Sequence, residues 1–223
     1  MRFDTVLFDL DGTLFDTAPD ILAACNHALK VFGYKEASAD LLSPALPYGM
    51  RAMLKLAIPE RDWPKAERGG PMYNEFDRSY TENSHVLTRP FPGIPELVED
   101  LRGCGIKAGV VTNKYMHMVR TLFSAFPFTK DFNCIVGGDS APRAKPDPAP
   151  IWMAIKECGS TPSRTLYVGD LKSDVEASRN AGVASCAVEW GYGMFVSGSM
   201  DEWGAQYAAQ APQDVLAIAK GRE

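Results

Sequence analysis

The sequence predicts an α/β fold: a Rossmann-like parallel sheet with helices on both faces and an inserted helical domain. Short apolar or β-branched runs of strand length recur along the chain, and helical patterns separate most of them. The interval 16–89 breaks this alternation, because it contains helical patterns but no convincing strand run. Strands that alternate with helices are typical of a parallel sheet covered on both sides.

Five runs have the length and composition of β-strands: TVLFD (5–9), AGVVTN (108–113), NCIVGG (133–138), TLYVGD (165–170) and ASCAVEW (184–190). Two sets of apolar residues between these runs keep the three- and four-residue spacing of a buried helix face. They are Met116, Val119, Phe123 and Phe126, and then Ile151, Ile155 and Cys158. These segments form the predicted sheet and part of its helical covering.

Amphipathic stripes in the interval 16–89 predict helices inserted into the sheet domain. The stripes consist of Ile21, Leu22, Cys25, Leu29 and Phe32, and of Met50, Met53, Leu54 and Ala57. Prolines at 90, 92 and 95 mark the return to the sheet domain, and Pro95 is expected in the first turn of a helix. We therefore predict a core domain of residues 1–15 and 90–223 and a helical domain of residues 16–89.

Length, charge and cysteine content exclude several classes of protein. The chain has 223 residues, of which 46% are hydrophobic, enough for one large domain or a domain with an insertion. The net charge of −5, without a run of Lys and Arg, argues against nucleic-acid or anionic-membrane partners. Five widely spaced cysteines without a CxxC pair indicate neither a disulfide framework nor a zinc site.

The amino terminus and the hydropathy pattern predict a soluble, unprocessed chain. Asp4 and Asp9 interrupt any signal-peptide apolar region, and no apolar run approaches the ~18 residues of a membrane span. We expect a cytoplasmic monomer or homodimer without a membrane partner.

Polar side chains close three of the predicted strands. Asp9 and Asp11 follow the first strand, Thr112 and Asn113 the second, and Asp170 the fourth, with Asp174 four residues later. Ligands of open parallel sheets bind beyond the carboxyl ends of the strands. We therefore expect these oxygen-bearing side chains to lie at one edge of the sheet.

The spacing of Asp9 and Asp11 predicts a bound cation. On an extended segment the two carboxylates would lie on the same side, and their repulsion in a poorly solvated cleft would cost several kcal/mol. Mg²⁺ prefers oxygen ligands and often bridges to a substrate phosphate. A calcium loop does not fit, because placing Gly12 at its sixth position puts Leu7 first and Ala18 last, and neither side chain carries an oxygen.

Four segments, DLDGTLFDT, VVTNK, KPDP and VGDLKSD, resemble the motifs of the haloacid dehalogenase superfamily in their usual order, and the resemblance covers nearly the whole chain. It implies a Mg²⁺-dependent phosphatase that hydrolyses a small-molecule phosphomonoester through an aspartyl-phosphate. The inserted helices then correspond to the cap domain that such enzymes place over the active site.

The resemblance also implies a role for each matching residue. Asp9 is the nucleophile, and Asp11 protonates the leaving alkoxide and later takes a proton from water. Thr112 binds a phosphoryl oxygen, Lys145 neutralises charge on the nucleophile and the transferring group, and Asn113 helps to shape the phosphate pocket. Asp9, the carbonyl of Asp11, and Asp170 hold Mg²⁺, which Asp174 supports directly or through water.

Several of these residues also have plain structural interpretations. Asp174 and Asp16 are of a type that caps helices, Thr112 is a β-branched strand residue, and Asp147 fits turn chemistry in KPDP. His27, His85 and His117 lack metal-ligand spacing, so we interpret them as structural or exposed.

Asp11 distinguishes among members of the superfamily. Dehalogenases lack an aspartate at this position, and the related ion pumps carry a lysine there and are membrane proteins, so both are disfavoured. A sugar phosphomutase remains an alternative. A receiver-type phospho-aspartate switch is the non-enzyme alternative, but its phospho-acceptor lies on a later strand and it lacks the helical insertion.

The substrate is expected to be chosen by the cap. In LPYGMRAML, Gly49 is suited to a loop towards the cleft, and Arg51 to a second anionic group such as a substrate carboxylate. The chain resembles the phosphoglycolate phosphatase branch in FPGIPELVEDLRGCGIKAGVVTNK and WGYG, which makes phosphoglycolate the first candidate. It lacks the Gly-x-Gly pair of that branch, and YGMRAM with EWGA also resembles relatives that act on N-acetylmuramic acid 6-phosphate.

Overall fold

A computed structural model describes residues 1–195 and 200–221 of the chain. These residues divide into two compact units. The first contains Met1–Asp16, Pro90–Gly193 and the described residues from 200 onwards, and the second is built on Thr17–Arg89. The predicted α/β fold is confirmed in the first unit, which contains a parallel sheet.

The strands are β1 Thr5–Phe8, β2 Phe15–Asp16, β3 Arg89–Pro90, β4 Lys107–Val111, β5 Cys134–Val136, β6 Thr165–Gly169, β7 Ala184–Val188 and β8 Tyr207–Ala209. Six of them form one sheet in the order β5-β4-β1-β6-β7-β8, and every paired neighbour is parallel. β1 lies in the middle of this sheet between β4 and β6. The two-residue strands β2 and β3 lie where the chain passes from one unit to the other.

The helices are α1 Ala18–Val31, α2 Ala39–Leu42, α3 Gly49–Ala57, α4 Trp63–Ala66, α5 Pro71–Asn83, α6 Ile94–Gly103, α7 Met116–Ser124, α8 Ala149–Cys158, α9 Lys172–Ala181 and α10 Pro212–Lys220. Short 3-10 helices cover Ser43–Tyr48, Glu60–Asp62, Pro127–Asp131, Pro162–Arg164, Tyr192–Phe195 and Met200–Trp203. Pro95 lies in the first turn of α6, as predicted, where its missing N–H costs no hydrogen bond.

Alternating side chains of the central strand separate two apolar cores. Val6 and Phe8 of β1 pack with residues of α6, α7 and α10, whereas Leu7 packs with residues of α8 and α9. Successive side chains of a strand point to opposite faces, so helices cover both sides of the sheet. Burial on both faces explains why β1 is apolar throughout.

The carboxyl-terminal strand β8 and helix α10 were not predicted from the sequence. β8 consists of Tyr207, Ala208 and Ala209, and alanine has little intrinsic preference for strands. Its pairing with β7 comes from tertiary context, because it extends the sheet in parallel register at the edge. Short alanine-rich segments of this kind carry no clear hydrophobic period.

The second unit is helical and contains α1 to α5, which lie between the points where the chain enters and leaves it. Asp20, near the start of α1, accepts hydrogen bonds from the backbone amides of Leu87 (3.0 Å) and Thr88 (2.8 Å). The carboxylate thus ties the first helix of the unit to the segment by which the chain leaves it. Among the described residues of either unit, no helix is both long and apolar enough to cross a membrane.

Candidate active site

The carboxyl ends of three neighbouring strands, β4, β1 and β6, bring the predicted polar residues together within the first unit. Asp9 directly follows β1, Thr112 directly follows β4, and Asp170 directly follows β6. The register of the sheet aligns these positions, since Phe8 lies opposite both Val110 and Val168. The backbone amide of Asp9 continues the ladder by donating to the carbonyl of Val168 at 2.8 Å.

Asp9, Asp170 and Asp174 form a buried acidic cluster. Each offers one carboxylate oxygen to a group in which all the ligand atoms lie within 4.8 Å of one another. Elsewhere in the described chain, no such group of three or more His, Cys, Asp or Glu side chains occurs, and no histidine belongs to this one. The cluster therefore contains only oxygen donors.

Asp170 is held in place through both of its oxygens. Thr13 Oγ1 donates to Oδ1 at 2.8 Å, and the backbone amide of Tyr192 donates to Oδ2 at 2.8 Å. Gly12 has φ of +81° and lies so close that an added Cβ would come within 2.2 Å of Asp170 Oδ2. Glycine is therefore required at position 12 both by the left-handed backbone and by the approach to Asp170.

Lys145 lies against the acidic cluster with its side chain only 2% exposed. Its Nζ is 2.9 Å from Asp9 Oδ1 and 2.7 Å from Asp174 Oδ1. It also donates to the hydroxyl of Tyr167 at 2.7 Å, and that hydroxyl donates to the carbonyl of Val111 at 2.7 Å. Three partners on three different segments thus fix the ammonium.

Asp174 lies in the first turn of helix α9 and belongs to the acidic cluster at the same time. Its Oδ2 accepts from the backbone amide of Leu171 at 3.0 Å, while its Oδ1 pairs with Lys145. Asp174 therefore makes a capping contact at the start of the helix while it lies in the acidic cluster, and its part in metal binding stays a prediction.

Thr112 and Asn113 connect β4 to this site. The Oγ1 of Thr112, which is buried, accepts from the backbone amide of Lys114 at 3.2 Å. The side-chain amide of Asn113 forms two hydrogen bonds with the backbone of Lys145: it accepts from the N–H at 2.9 Å and donates to the carbonyl at 3.0 Å. Asn113 therefore positions Lys145, and a direct contact of Asn113 with substrate stays a prediction.

Asp11 is arranged differently from the expected extended segment. β1 ends at Phe8, so Asp9 and Asp11 do not share a strand. The carboxylate of Asp11 pairs with Lys114, whose Nζ lies 2.7 Å from Oδ1 and 2.9 Å from Oδ2. Each of the two acids thus has its own lysine, and the predicted repulsion is partly balanced within the protein. Lys114 was not identified from the sequence, although it directly follows Asn113 in VVTNK.

The acidic cluster still carries excess negative charge. When all three carboxylates are ionised, the single ammonium of Lys145 leaves the cluster with a net charge of −2. Burial raises the pKa of Asp9 to about 6, with Lys145 opposing and Asp174 and Asp11 adding to the increase. Burial, reinforced by Asp174 and Asp9, also raises the pKa of Asp170 well above its usual range. Burial alone would lower the pKa of Lys145, but Asp174 and Asp9 hold it well above its ordinary value.

The donor set fits a hard divalent cation. A charge of +2 balances the net charge of the fully ionised cluster, and carboxylate oxygens suit Mg²⁺. Although Asp9 Oδ1 lies near Lys145, this buried oxygen has no hydrogen-bond partner of good geometry among the described residues, so it retains lone pairs for a ligand. A bound cation would also reverse the rise in pKa of Asp9 and Asp170.

The remaining predicted residues lie outside the acidic cluster. Asp16 accepts from the hydroxyl of Tyr192 at 3.0 Å, and Asp147 accepts from the amide of Ala149 at 2.9 Å, which is the predicted turn chemistry. In the second unit, Gly49 opens α3 with φ of +78°. Arg51, whose side chain is 61% exposed, lies 3.3 Å from Glu67. The roles of Gly49 and Arg51 in substrate binding stay predictions.

Comparisons with known proteins identify relatives along almost the whole chain. A family model described as haloacid dehalogenase-like hydrolase matches residues 6–188. The N-acetylmuramic acid 6-phosphate phosphatase of Pseudomonas aeruginosa is 34% identical over 219 residues, which cover 98% of this chain and 95% of the relative. The phosphoglycolate phosphatase of Aquifex aeolicus is 35% identical over 187 residues, covering 84% of this chain and 85% of the relative.

Solved structures support the same kinship. A crystal structure described as a predicted phosphoglycolate phosphatase from Haemophilus somnus 129pt superposes with a TM-score of 0.84 at 28% identity and covers 98% of each chain.

Proposed function

We propose that this chain, which belongs to the haloacid dehalogenase-like hydrolase family, is a Mg²⁺-dependent phosphatase of small-molecule phosphomonoesters. The observation that carries the proposal is the buried cluster of Asp9, Asp170 and Asp174 against Lys145. It combines a nucleophilic carboxylate, ligands for a hard cation and a fixed positive charge at the carboxyl edge of a parallel sheet. The family's phosphatase relatives support the reaction class.

In the proposed reaction, Asp9 attacks phosphorus while Asp11 gives a proton to the leaving oxygen. The P–O bond to the alcohol breaks as the bond from Asp9 to phosphorus forms, so an aspartyl-phosphate results. Water then attacks phosphorus, Asp11 takes its proton, and the carboxylate of Asp9 leaves. Thr112 and Lys145 stabilise the charge on the phosphoryl oxygens in both steps.

We propose that Asp9, Asp170 and the carbonyl of Asp11 hold Mg²⁺, with Asp174 in support. When bound, the cation neutralises the acidic cluster and the oxygens of the incoming phosphate. The protein's own contribution is to keep these carboxylates aligned. Asp170 is aligned by Thr13 and the amide of Tyr192.

Turnover of 4-nitrophenyl phosphate tests the proposed function. The purified protein is expected to complete many cycles with Mg²⁺ and to lose activity on treatment with EDTA, because the uncompensated cluster would repel the phosphate. Activity should return when Mg²⁺ is added in excess. A single phosphorylation per chain that persists would contradict a phosphatase and favour a phospho-aspartate switch.

Two substrates are candidates, and both carry a carboxylate as well as a phosphate. Phosphoglycolate is the substrate named for the Aquifex aeolicus relative. N-acetylmuramic acid 6-phosphate is a second candidate, because the relative named for this substrate covers 98% of this chain, whereas the Aquifex aeolicus relative covers 84%. A comparison of kcat/KM for these two esters and for hexose phosphates distinguishes the two phosphatases from each other and from a general sugar-phosphate enzyme. Formation of an isomeric sugar phosphate instead of free phosphate would indicate a phosphomutase.

Arg51 is proposed to recognise the second anionic group of the substrate. Its side chain is largely exposed and its guanidinium forms an ion pair with Glu67, so a substrate carboxylate can compete with Glu67 for the guanidinium. Arg51→Ala is expected to raise KM for phosphoglycolate about tenfold, the value of one hydrogen bond to a charged group. KM for 4-nitrophenyl phosphate, which has no carboxylate, should change less than about twofold.

Arg61→Ala is the matched control for Arg51, because Arg61 belongs to the same unit and its side chain is 85% exposed. It should leave both KM values unchanged. An equal rise for the two esters in Arg51→Ala would contradict carboxylate recognition by this residue.

A further inference from the structure

We infer that Lys114 is a positioning residue that holds the carboxyl group of Asp11 in the orientation needed for proton transfer. The inference rests on the proposed phosphatase function, in which Asp11 acts first as acid and then as base. It assigns a task to the lysine that ends VVTNK, a residue to which the resemblance gives no role.

The contact between Lys114 and Asp11 is close and nearly symmetrical. The Nζ of Lys114 lies 2.7 Å from one carboxylate oxygen and 2.9 Å from the other. The lysine side chain is 4% exposed, whereas that of Asp11 is 27% exposed. An ammonium that reaches both oxygens restricts rotation of the carboxyl group, and burial protects the pair from screening by salt. Asp11 is thus fixed from the protein side while part of it faces solvent.

The backbone of Lys114 is itself firmly placed. Its amide donates to Thr112 Oγ1 at 3.2 Å, and its carbonyl accepts from the amide of Gly138 at 2.8 Å. A Cβ at Gly138 would come within 2.3 Å of the carbonyl oxygen of Asn113, so the segment after β5 packs directly on the segment after β4. A long lysine side chain can position another group only if the backbone that carries it is fixed in this way.

Three consecutive residues therefore serve three different parts of the site. Thr112 lies at the end of β4, Asn113 grips the backbone of Lys145, and Lys114 holds Asp11. The segment couples the charge-neutralising lysine to the acid–base residue through one rigid turn. Displacement of this turn would disturb both at once.

The proposed chemistry explains why the orientation of Asp11 matters. In the first step one oxygen of Asp11 gives its proton to the leaving alcohol as the P–O bond breaks. In the second step it recovers a proton from the attacking water as the bond from Asp9 to phosphorus breaks. In both steps the other oxygen can keep its hydrogen bond to Lys114, so the carboxyl group stays oriented towards the leaving oxygen and the attacking water.

Lys114 has a different expected signature from a residue that only stabilises the fold or binds phosphate. Loss of acid assistance matters most for esters with poor leaving groups, whereas loss of phosphate binding affects all esters alike. The informative quantity is kcat/KM, which covers the steps through the first chemical transfer, measured with 4-nitrophenyl, phenyl and benzyl phosphate.

Lys114→Met is expected to lower kcat/KM by about ten- to a hundredfold for phenyl and benzyl phosphate, a typical cost of misplacing a catalytic group. For 4-nitrophenyl phosphate the loss should stay below about threefold, since its leaving group needs little protonation. Lys114→Gln, which retains a polar side chain, is the second variant if the methionine variant does not fold, and it should show the same uneven loss. Lys156→Met, at an exposed position of α8, is the matched control and should behave as wild type.

The double variant Asp11→Asn/Lys114→Met provides an independent test. If Lys114 acts through Asp11, the double variant should be no slower than Asp11→Asn alone, because the removed interaction is already lost. Equal losses for all three esters, or additive losses in the double variant, would overturn the positioning role while leaving the phosphatase intact. A wild-type chain that turns over none of the esters would instead refute the proposed function.

Discussion

Asp9→Asn is expected to abolish turnover while leaving the fold intact. The amide is a far weaker nucleophile than the carboxylate, and removal of a catalytic nucleophile typically lowers kcat by about four orders of magnitude or more. Steady-state assays with 4-nitrophenyl phosphate measure the loss, and circular dichroism checks the fold. Asp131→Asn is the matched control, because Asp131 pairs with Arg102 at the surface. Substantial activity in purified Asp9→Asn would remove Asp9 as the nucleophile.

The same substitution is expected to stabilise the metal-free protein at neutral pH. The pKa of Asp9 rises from 3.8 to about 6 on folding, so the folded state binds more protons than the unfolded state between these values. The free energy of unfolding of the metal-free wild type should therefore fall as the pH rises from about 4 to about 6. The loss that Asp9 causes is about 3 kcal/mol, and it persists above pH 6. Asparagine carries no charge and avoids this loss.

Thermal unfolding in EDTA tests this effect on stability. The midpoint of Asp9→Asn should exceed that of the wild type at pH 7.5, and the two should approach each other near pH 4. A lower midpoint for the variant at pH 7.5 would show that Asp9 contributes more through its pairing with Lys145 than it loses through burial.

Lys145→Met is expected to cause the second largest loss of activity. It removes the only ammonium within hydrogen-bond distance of Asp9 and Asp174 among the described contacts and raises the uncompensated charge of the buried cluster. Loss of a cation that stabilises a transferring phosphoryl group costs about three to five orders of magnitude in rate. The hydroxyl of Tyr167 would also lose a donor. Measurement of kcat with saturating Mg²⁺ tests the expectation.

Stability distinguishes charge neutralisation from a role in substrate binding alone. The metal-free Lys145→Met variant should unfold at a lower temperature than the wild type, because buried carboxylates lose their partner. Mg²⁺ should restore part of the difference. Lys130→Met, which removes an exposed lysine of the same unit, should change neither activity nor stability. Activity in Lys145→Met within tenfold of the wild type would contradict its assigned place in the reaction.

The family, the fold class and much of the site could be predicted from the sequence. Asp9, Thr112 and Asp170 each follow an apolar run, and the alternation of strands with helices indicates that these runs are parallel and end at one edge. The resemblance to the haloacid dehalogenase superfamily was needed for Lys145, since KPDP follows no strand and its place beside Asp9 depends on the tertiary fold.

The contacts that hold the site together could not be predicted in the same way. Lys114 is a lysine in a polar turn, and nothing in VVTNK shows that its side chain reaches Asp11 across 103 residues of sequence. Tyr167 occupies a strand position where an aromatic residue is ordinary, and its hydroxyl meets Lys145 only because β6 lies beside β1. The backbone amide of Tyr192, which aligns Asp170, carries no sequence signal at all. Such partners are decided by packing and not by local pattern.

The most direct test of the central claim is to trap the covalent intermediate. The enzyme is quenched in acid during turnover of 4-nitrophenyl phosphate with Mg²⁺ and then reduced with borohydride, which converts an aspartyl-phosphate to homoserine. Mass spectrometry is expected to find homoserine at position 9. Homoserine at another aspartate would contradict the assignment of Asp9 as the group that accepts phosphate. The absence of homoserine at every position would also contradict it, provided that the enzyme is turning over and that a phosphorylated form of the protein survives the quench.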